Sequence, residues 1–262
     1  MDEKSASPSV YSEKYALRSV DCGADGAMRL DAVFEVLQEA AGYHADLCGA
    51  GFMELLPAGR TWILSRMRVD LLRPMRYRDV IEVATWPRGV QGLLALRDFR
   101  ITDAEGREAA LGTSSWLLVE VATRRPLRVE EYLSERFRLT DDSVFGSDAV
   151  KLADFEVHPG ANGASAFRVR PSDLDMNGHM TNTAYLKMLS DGLAESFPGF
   201  VPSSVTVNFL AEAFLGDELA LQFDQPCAGE RPSGERPSGE RPSGAKLLPA
   251  DGGKERVRFS LA

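Results

Sequence analysis

The feature that most constrains this chain is that it repeats itself. Arg18-Ser-Val-Asp-Cys-Gly-Ala-Asp-Gly-Ala-Met can be set over Arg170-Pro-Ser-Asp-Leu-Asp-Met-Asn-Gly-His-Met without a gap. Arg18 then falls on Arg170, Asp21 on Asp173, Gly26 on Gly178 and Met28 on Met180. Further on, Ala32 meets Ala184 and Leu37 meets Leu189. Self-similarity at a fixed offset is the mark of a duplicated structural unit, so the fold must be one that accepts two copies of the same arrangement.

Each copy runs into a helical pattern and then into strands. Leu30, Val33, Phe34 and Leu37 follow i, i+3, i+4, i+7 spacing, and Tyr185, Met188, Leu189 and Leu193 mark one face of the second helix. Strands are expected over 62–71, 79–86, 93–102 and 108–121, which are rich in β-branched and aromatic residues. The second copy gives 204–210, 217–223, a short strand near Leu247, and 255–261. Asp103-Ala-Glu-Gly106 and Asp251-Gly252 read as hairpin turns. A short strand, one long helix and a run of antiparallel strands pack as a sheet around a buried helix, an α+β arrangement made twice.

The expected organisation is a flexible N-terminus over 1–10, a first domain over 11–129, a linker over 130–151 and a second domain over 152–262. The linker is acidic, with Glu130, Glu131, Glu135, Asp141, Asp142 and Asp148, and lacks a strong pattern. Within 229–244 stand three tandem copies of Gly-Glu-Arg-Pro-Ser; the prolines exclude a regular central strand, so this reads as an expanded hairpin loop.

Composition narrows the function classes. A net charge of −9 argues against a general nucleic-acid binder. Cys22, Cys48 and Cys227 form neither a disulfide framework nor a metal cluster, so a reducing compartment, the cytoplasm, is expected. The first ten residues lack the apolar core of a signal peptide, and no run approaches the length of a spanning helix, so no membrane insertion is expected. No ligand spacing suggests a metal, and no Gly-rich fingerprint suggests a nucleotide cofactor. His44 and His158 stand alone, as surface or satisfied core residues.

The densest polar cluster is Asp173-Leu-Asp175-Met-Asn177-Gly-His179-Met-Thr-Asn182, directly before the second helix. Asp175, Asn177 and His179 alternate, so an extended loop would point all three to one side. Gly178 permits a close turn, Thr181 or Asn182 can cap the helix, and the helix start offers N–H donors to an oxyanion. At the matching places the first copy carries Gly23, Asp25 and Ala27. Backbone-shaping residues persist in both copies while the polar set stands in one, which a purely structural role does not explain. Glu212 behaves alike: counted back from Asp217 against Asp79, its partner in the first copy is Pro74.

These residues resemble the acyl-acyl carrier protein thioesterases, enzymes of two fused hotdog folds. The resemblance rests on Trp62-Ile-Leu-Ser-Arg-Met-Arg-Val-Asp, on Arg97-Asp-Phe-Arg-Ile-Thr-Asp with Thr113-Ser-Ser-Trp116 and Thr123-Arg-Arg125, and on Asp173-Leu-Asp-Met-Asn-Gly-His179, in that order over most of 11–262. It implies a tandem hotdog and a catalytic network of Asp175, Asn177, His179 and Glu212. It implies release of a free fatty acid from acyl carrier protein, without a cofactor, and an acyl slot between helix and sheet set mostly by the first copy. A cysteine nucleophile once proposed for the family beside its Glu has no counterpart, because Ala213 stands there. Attack then falls to water, with Glu212 or Asp175 as general base, or to one of these carboxylates directly.

Residues 60–100 hold nine arginines against four acids, a balance of +5 that leaves −14 on the rest of the chain. Such a segment could dock an acidic carrier protein or be an ordinary solvated face. An acyl-CoA thioesterase on the same fold and a non-catalytic acyl-ligand sensor are the competing readings. Association of two chains is left open, since hotdog sheets often pair at their edges.

Overall fold

The computed structural model describes residues 8–157, 166–224, 241–251 and 253–262. The start of the expected N-terminal arm, His158, Cys227, Gly252 and most of the Gly-Glu-Arg-Pro-Ser tract lie outside the described residues. The chain divides into two compact units, Met1–Met28 with Ala32–Ala149 and Arg29–Asp31 with Val150–Ala262.

In the first unit, β1 (Tyr11–Ala16) precedes α1 (Leu30–Leu47) and the short α2 (Phe52–Leu55). Then come β2 (Arg60–Leu71), β3 (Val80–Gln91), β4 (Leu94–Thr102), β5 (Glu108–Glu120) and α3 (Glu130–Arg136). The strands are antiparallel in the order β1-β3-β4-β5-β2. α1 buries Val33, Phe34, Leu37, Ala40 and Ala41 on the face its 3.6-residue period presents. Gly112 of β5 lets the helix approach: a Cβ there would meet Leu37 and Phe99 at 3.4 Å.

The second unit repeats the plan with β6 (Ala166–Arg168), α4 (Asn182–Ser196), β7 (Ser204–Phe209), β8 (Glu218–Phe223), β9 (Gly244–Pro249) and β10 (Val257–Leu261). Its antiparallel order, β6-β8-β9-β10-β7, is that of the first unit strand for strand. Gly192 on α4 plays the part of Gly112 from the other side, since a Cβ there would meet Leu221 at 2.3 Å. Each unit is a sheet on one long helix, the α+β hotdog arrangement expected from the sequence.

Two expectations need correction. β3 runs past the expected end at 86 to Gln91; the ladder to β4 shifts register between Pro87 and Gly89, and this bulge absorbs the proline. The stretch 130–151 is not a bare linker. α3 buries Leu133, and Phe137 follows it into a cluster with Ala45, Cys48, Leu55 and Val129. Beyond it, the Asp142 carbonyl accepts from Trp86 Nε1 at 2.9 Å, the Asp98 carboxylate accepts from Val144 N at 3.0 Å, and Arg88 pairs with Asp148. Residues up to Ala149 therefore pack with the first unit.

The first unit also encloses a polar pair. His44 on α1 is fully buried; its Nε2 meets the Pro8 carbonyl at 2.9 Å and its Nδ1 meets Arg97 Nη1 at 3.1 Å. Burial, reinforced by the Arg97 charge, pushes the imidazole down to about 4, so it is neutral and accepts from the guanidinium. At the matching place on α4 stands Ser196. Among the described residues no helix is long and apolar enough to cross a membrane, and no three His, Cys, Asp or Glu side chains gather as a metal site.

Candidate active site

The two copies build the same loop with the same backbone bonds. In each, an arginine N–H ahead of a 3-10 turn donates to the aspartate three residues on, Arg18 to Asp21 at 2.7 Å and Arg170 to Asp173 at 2.8 Å. A tight loop follows, closed by Gly23 N to Ala27 O at 2.8 Å and by Asp175 N to His179 O at 2.8 Å. Gly26 and Gly178 take φ +76° and +77°, a region that side chains disfavour, which explains why glycine recurs. Met28 N then donates to Met75 O, and Met180 N to Ala213 O. The residues before these acceptors are Pro74 and Glu212, so the correspondence counted along the sequence is also one of geometry.

Only the second loop is chemically equipped. Asp175 Oδ1 accepts from Asn177 N at 2.8 Å and from His179 N at 3.1 Å. The Asn177 carboxamide stands 3.4 Å from Asp175 Oδ2. His179 Nδ1 lies 3.3 Å from Glu212 Oε1, and the Phe214 ring meets the imidazole edge-on with centroids 5.2 Å apart. The imidazole is 18% exposed and the carboxylate 35%, so water reaches the pair while protein frames it. In the first copy Ala27 and Pro74 leave these positions without a titratable group.

The loop is a turn rather than an extended strand, which changes the expected alternation. Asp175 folds back on the loop's own amides, whereas the His179 ring crosses to Glu212. The structure thus brings His179 and Glu212 together, sets Asn177 exposed at the loop tip, and gives Asp175 the task of holding the other two. Thr181 is the helix cap, its Oγ1 accepting from Ala184 N at 3.2 Å. Gly178, Met180 and Thr181 N–H groups bond within the site, to Asp175, Ala213 and Asp173 carbonyls. The Asn177 carboxamide, exposed at the loop tip, is a side-chain donor available to a ligand.

Sequence reasoning missed the residues behind Glu212. Tyr185 of α4 is buried, with the Ala213 N–H donating to its oxygen, and burial pushes the phenol up to about 12. Arg256, just before β10, accepts Leu210 N at 2.8 Å and Ala211 N at 3.2 Å on its carbonyl. Its Nη2 stands 3.4 Å from Asp217 Oδ2, which also accepts Phe214 N at 3.1 Å. Arg256 lies far from the polar loop in sequence, whereas Tyr185, three residues beyond Asn182, reads there as part of the apolar face of the helix.

Residues 8–137 match the family described as acyl-ACP thioesterase N-terminal domain, and residues 158–235 match the acyl-ACP thioesterase C-terminal domain. The chain is 30% identical over 189 residues to the chloroplastic palmitoyl-acyl carrier protein thioesterase of Gossypium hirsutum, covering 68% of this chain and 45% of that protein. It spans about half the length of the curated relatives it matches. Among solved structures, the 12:0-ACP thioesterase of Umbellularia californica superposes with TM-score 0.75 at 24% identity, covering 97% of this chain and 96% of that one. An acyl-ACP thioesterase of Bacteroides thetaiotaomicron does so with TM-score 0.75 at 20% identity, over 97% of each chain.

Proposed function

We propose, from the premise that this chain belongs to the acyl-ACP thioesterase family, that it hydrolyses the thioester of fatty acyl-acyl carrier protein and releases the free fatty acid. The observation that carries this reading is the His179–Glu212 pair at 3.3 Å, assembled from two separate segments in the one copy that has both residues. A histidine beside a partly exposed carboxylate is a general acid–base couple, and neither side chain is itself an activated nucleophile of the serine or cysteine kind.

Glu212 takes a proton from water as the water oxygen bonds to the thioester carbon. The Asn177 carboxamide donates to the carbonyl oxygen, where negative charge develops. As the tetrahedral intermediate collapses, the carbon–sulfur bond breaks and the proton held on Glu212 passes to the departing sulfur. His179 holds the carboxylate in line and spreads the charge that forms on it. Asp175 keeps Asn177 and His179 in place through their backbone N–H groups.

For the carrier, charge supports a surface on the first unit. Of the nine arginines in 60–100, Arg97 is buried, and Arg68, Arg88 and Arg100 pair with Asp70, Asp98 and Glu108. Arg73, Arg76 and Arg78 stay exposed together, beside exposed Leu72 and Tyr77. An acidic carrier protein fits such a basic and apolar surface, and its docking would weaken as salt rises. A cytoplasmic, reducing setting fits a sequence whose three cysteines make no disulfide framework.

The test is a hydrolysis assay over acyl-carrier protein substrates of graded chain length, run beside the same acyl groups on coenzyme A. Faster turnover of the carrier-bound series, lost in His179→Ala, is the expected outcome. Preference for coenzyme A would move the substrate to acyl-CoA, and binding without turnover would make the chain an acyl-ligand sensor.

A further inference from the structure

The two copies differ in depth as well as at the loop. Leu72 N and Arg73 N both donate to the Ala109 carbonyl, at 2.9 and 3.1 Å, just as Leu210 N and Ala211 N donate to Arg256 O. Ala109 is thus the counterpart of Arg256, and the helix register makes Val33 the counterpart of Tyr185. Asp79 Oδ2 accepts Arg76 N at 2.8 Å, as Asp217 Oδ2 accepts Phe214 N. The first copy therefore forms this turn with an aspartate alone and with alanine and valine behind it. The turn does not need a guanidinium or a phenol.

Both groups appear only where the copy carries Glu212. The Arg256 guanidinium is largely buried, and its Nε makes no hydrogen bond among the described residues. A cation placed so costs desolvation, and it meets Asp217, at 3.4 Å and shared with Phe214 N, and the Lys254 carbonyl, 3.4 Å from Nη1. The Tyr185 hydroxyl feels the charges of Arg256, Asp217 and Glu212 together, which puts all four groups in one electrostatic neighbourhood. Arg256 also brackets Glu212 mechanically. Its carbonyl holds 210–211 before Glu212, and its side chain meets the aspartate that holds Phe214 after it.

We propose that Arg256, with Tyr185 beside it, is a positioning residue for Glu212: its two attachments fix the segment from which Glu212 reaches His179. This rests on the thioesterase reading only for its effect on rate.

The experiment follows the backbone amide NMR signals of 210–214 in the full chain, with steady-state hydrolysis measured on the same samples. Arg256→Met is expected to shift those signals, to lower kcat by about tenfold and to leave KM within twofold. Arg256→Lys is expected to restore most of both. Tyr185→Phe, which removes one oxygen and keeps the packing, is expected to lower kcat with smaller shifts, and it serves if Arg256→Met does not fold. Unchanged signals and kcat in folded Arg256→Met, or equal losses with Lys and Met, would overturn the proposal. Shifted signals in a chain whose wild type hydrolyses no acyl thioester would support the placement of Arg256 and remove the thioesterase reading instead.

Discussion

The loops at 18–28 and 170–180 share a backbone and divide the chemistry. Both have the arginine–aspartate turn, the left-handed glycine and the methionine N–H bonded to a neighbouring segment. One then carries Asp25, Ala27 and Pro74, the other Asn177, His179 and Glu212. Shape and reactivity are therefore separable here: the residues that recur make the loop, and those that do not are the candidates for catalysis. The first loop acts as an internal control, because it shows what the fold requires when no reaction is asked of it.

The largest break in this comparison comes from exchanging the reactive residues. Glu212→Gln should lower hydrolysis by about 10²–10⁴-fold, the usual contribution of a general base. Pro74→Ala in the other copy should leave the rate unchanged, as measured by fatty-acid release from purified, folded protein. Next in size is Asp175→Ala, which frees the amides of Asn177 and His179. A tenfold to hundredfold fall in kcat is expected, roughly what a small misplacement of reacting groups costs. Asp25→Ala, which frees only Ala27 N, should not change it.

The third test is one of stability and concerns the asymmetry of His44 against Ser196. The folded midpoint of His44, about 4, lies below that of a free histidine, so the unfolded chain takes up a proton first as pH falls. Stability from this site is full above about pH 6.5 and declines toward pH 4, by on the order of 2–3 kcal/mol across the window. Denaturant titrations at several pH values should show that slope in the wild type and a shallower one in His44→Gln, which keeps a neutral acceptor for Arg97. The smallest effect should be the one the loops share. At Gly26 and Gly178 an added Cβ meets nothing within 4 Å, so alanine costs only the backbone term, about 1 kcal/mol at either site. Equal losses in thermal stability, with a change in activity only for Gly178→Ala, would sharpen the division; unequal stability losses would weaken it.

The shared loop could be read from the amino acids because its constraints are local. A glycine at φ near +76° and an aspartate three residues from its N–H donor leave fixed letters at fixed spacing. Pairing Glu212 with Pro74 also needed only counting, since Asp79 and Asp217 mark the same turn. The rest depends on contacts made at a distance. α3 is short and mostly charged, and only its Leu133, with Phe137 beyond it, finds an apolar cluster built by other elements. β3 crosses Pro87 because β4 accommodates the bulge. Asp175 reads as one of three aligned side chains until the turn carries it back onto the loop amides. Arg256 comes from an element far from the loop in sequence, so no motif could join it to Glu212.

The central claim is that hydrolysis resides in the second copy's His179–Glu212 pair. The most direct test is the rate of fatty-acid release from acyl-acyl carrier protein by His179→Ala, measured beside wild type at equal concentration and confirmed folding. The account predicts a rate at least a hundredfold below wild type. Release at the wild-type rate from the folded variant would contradict it.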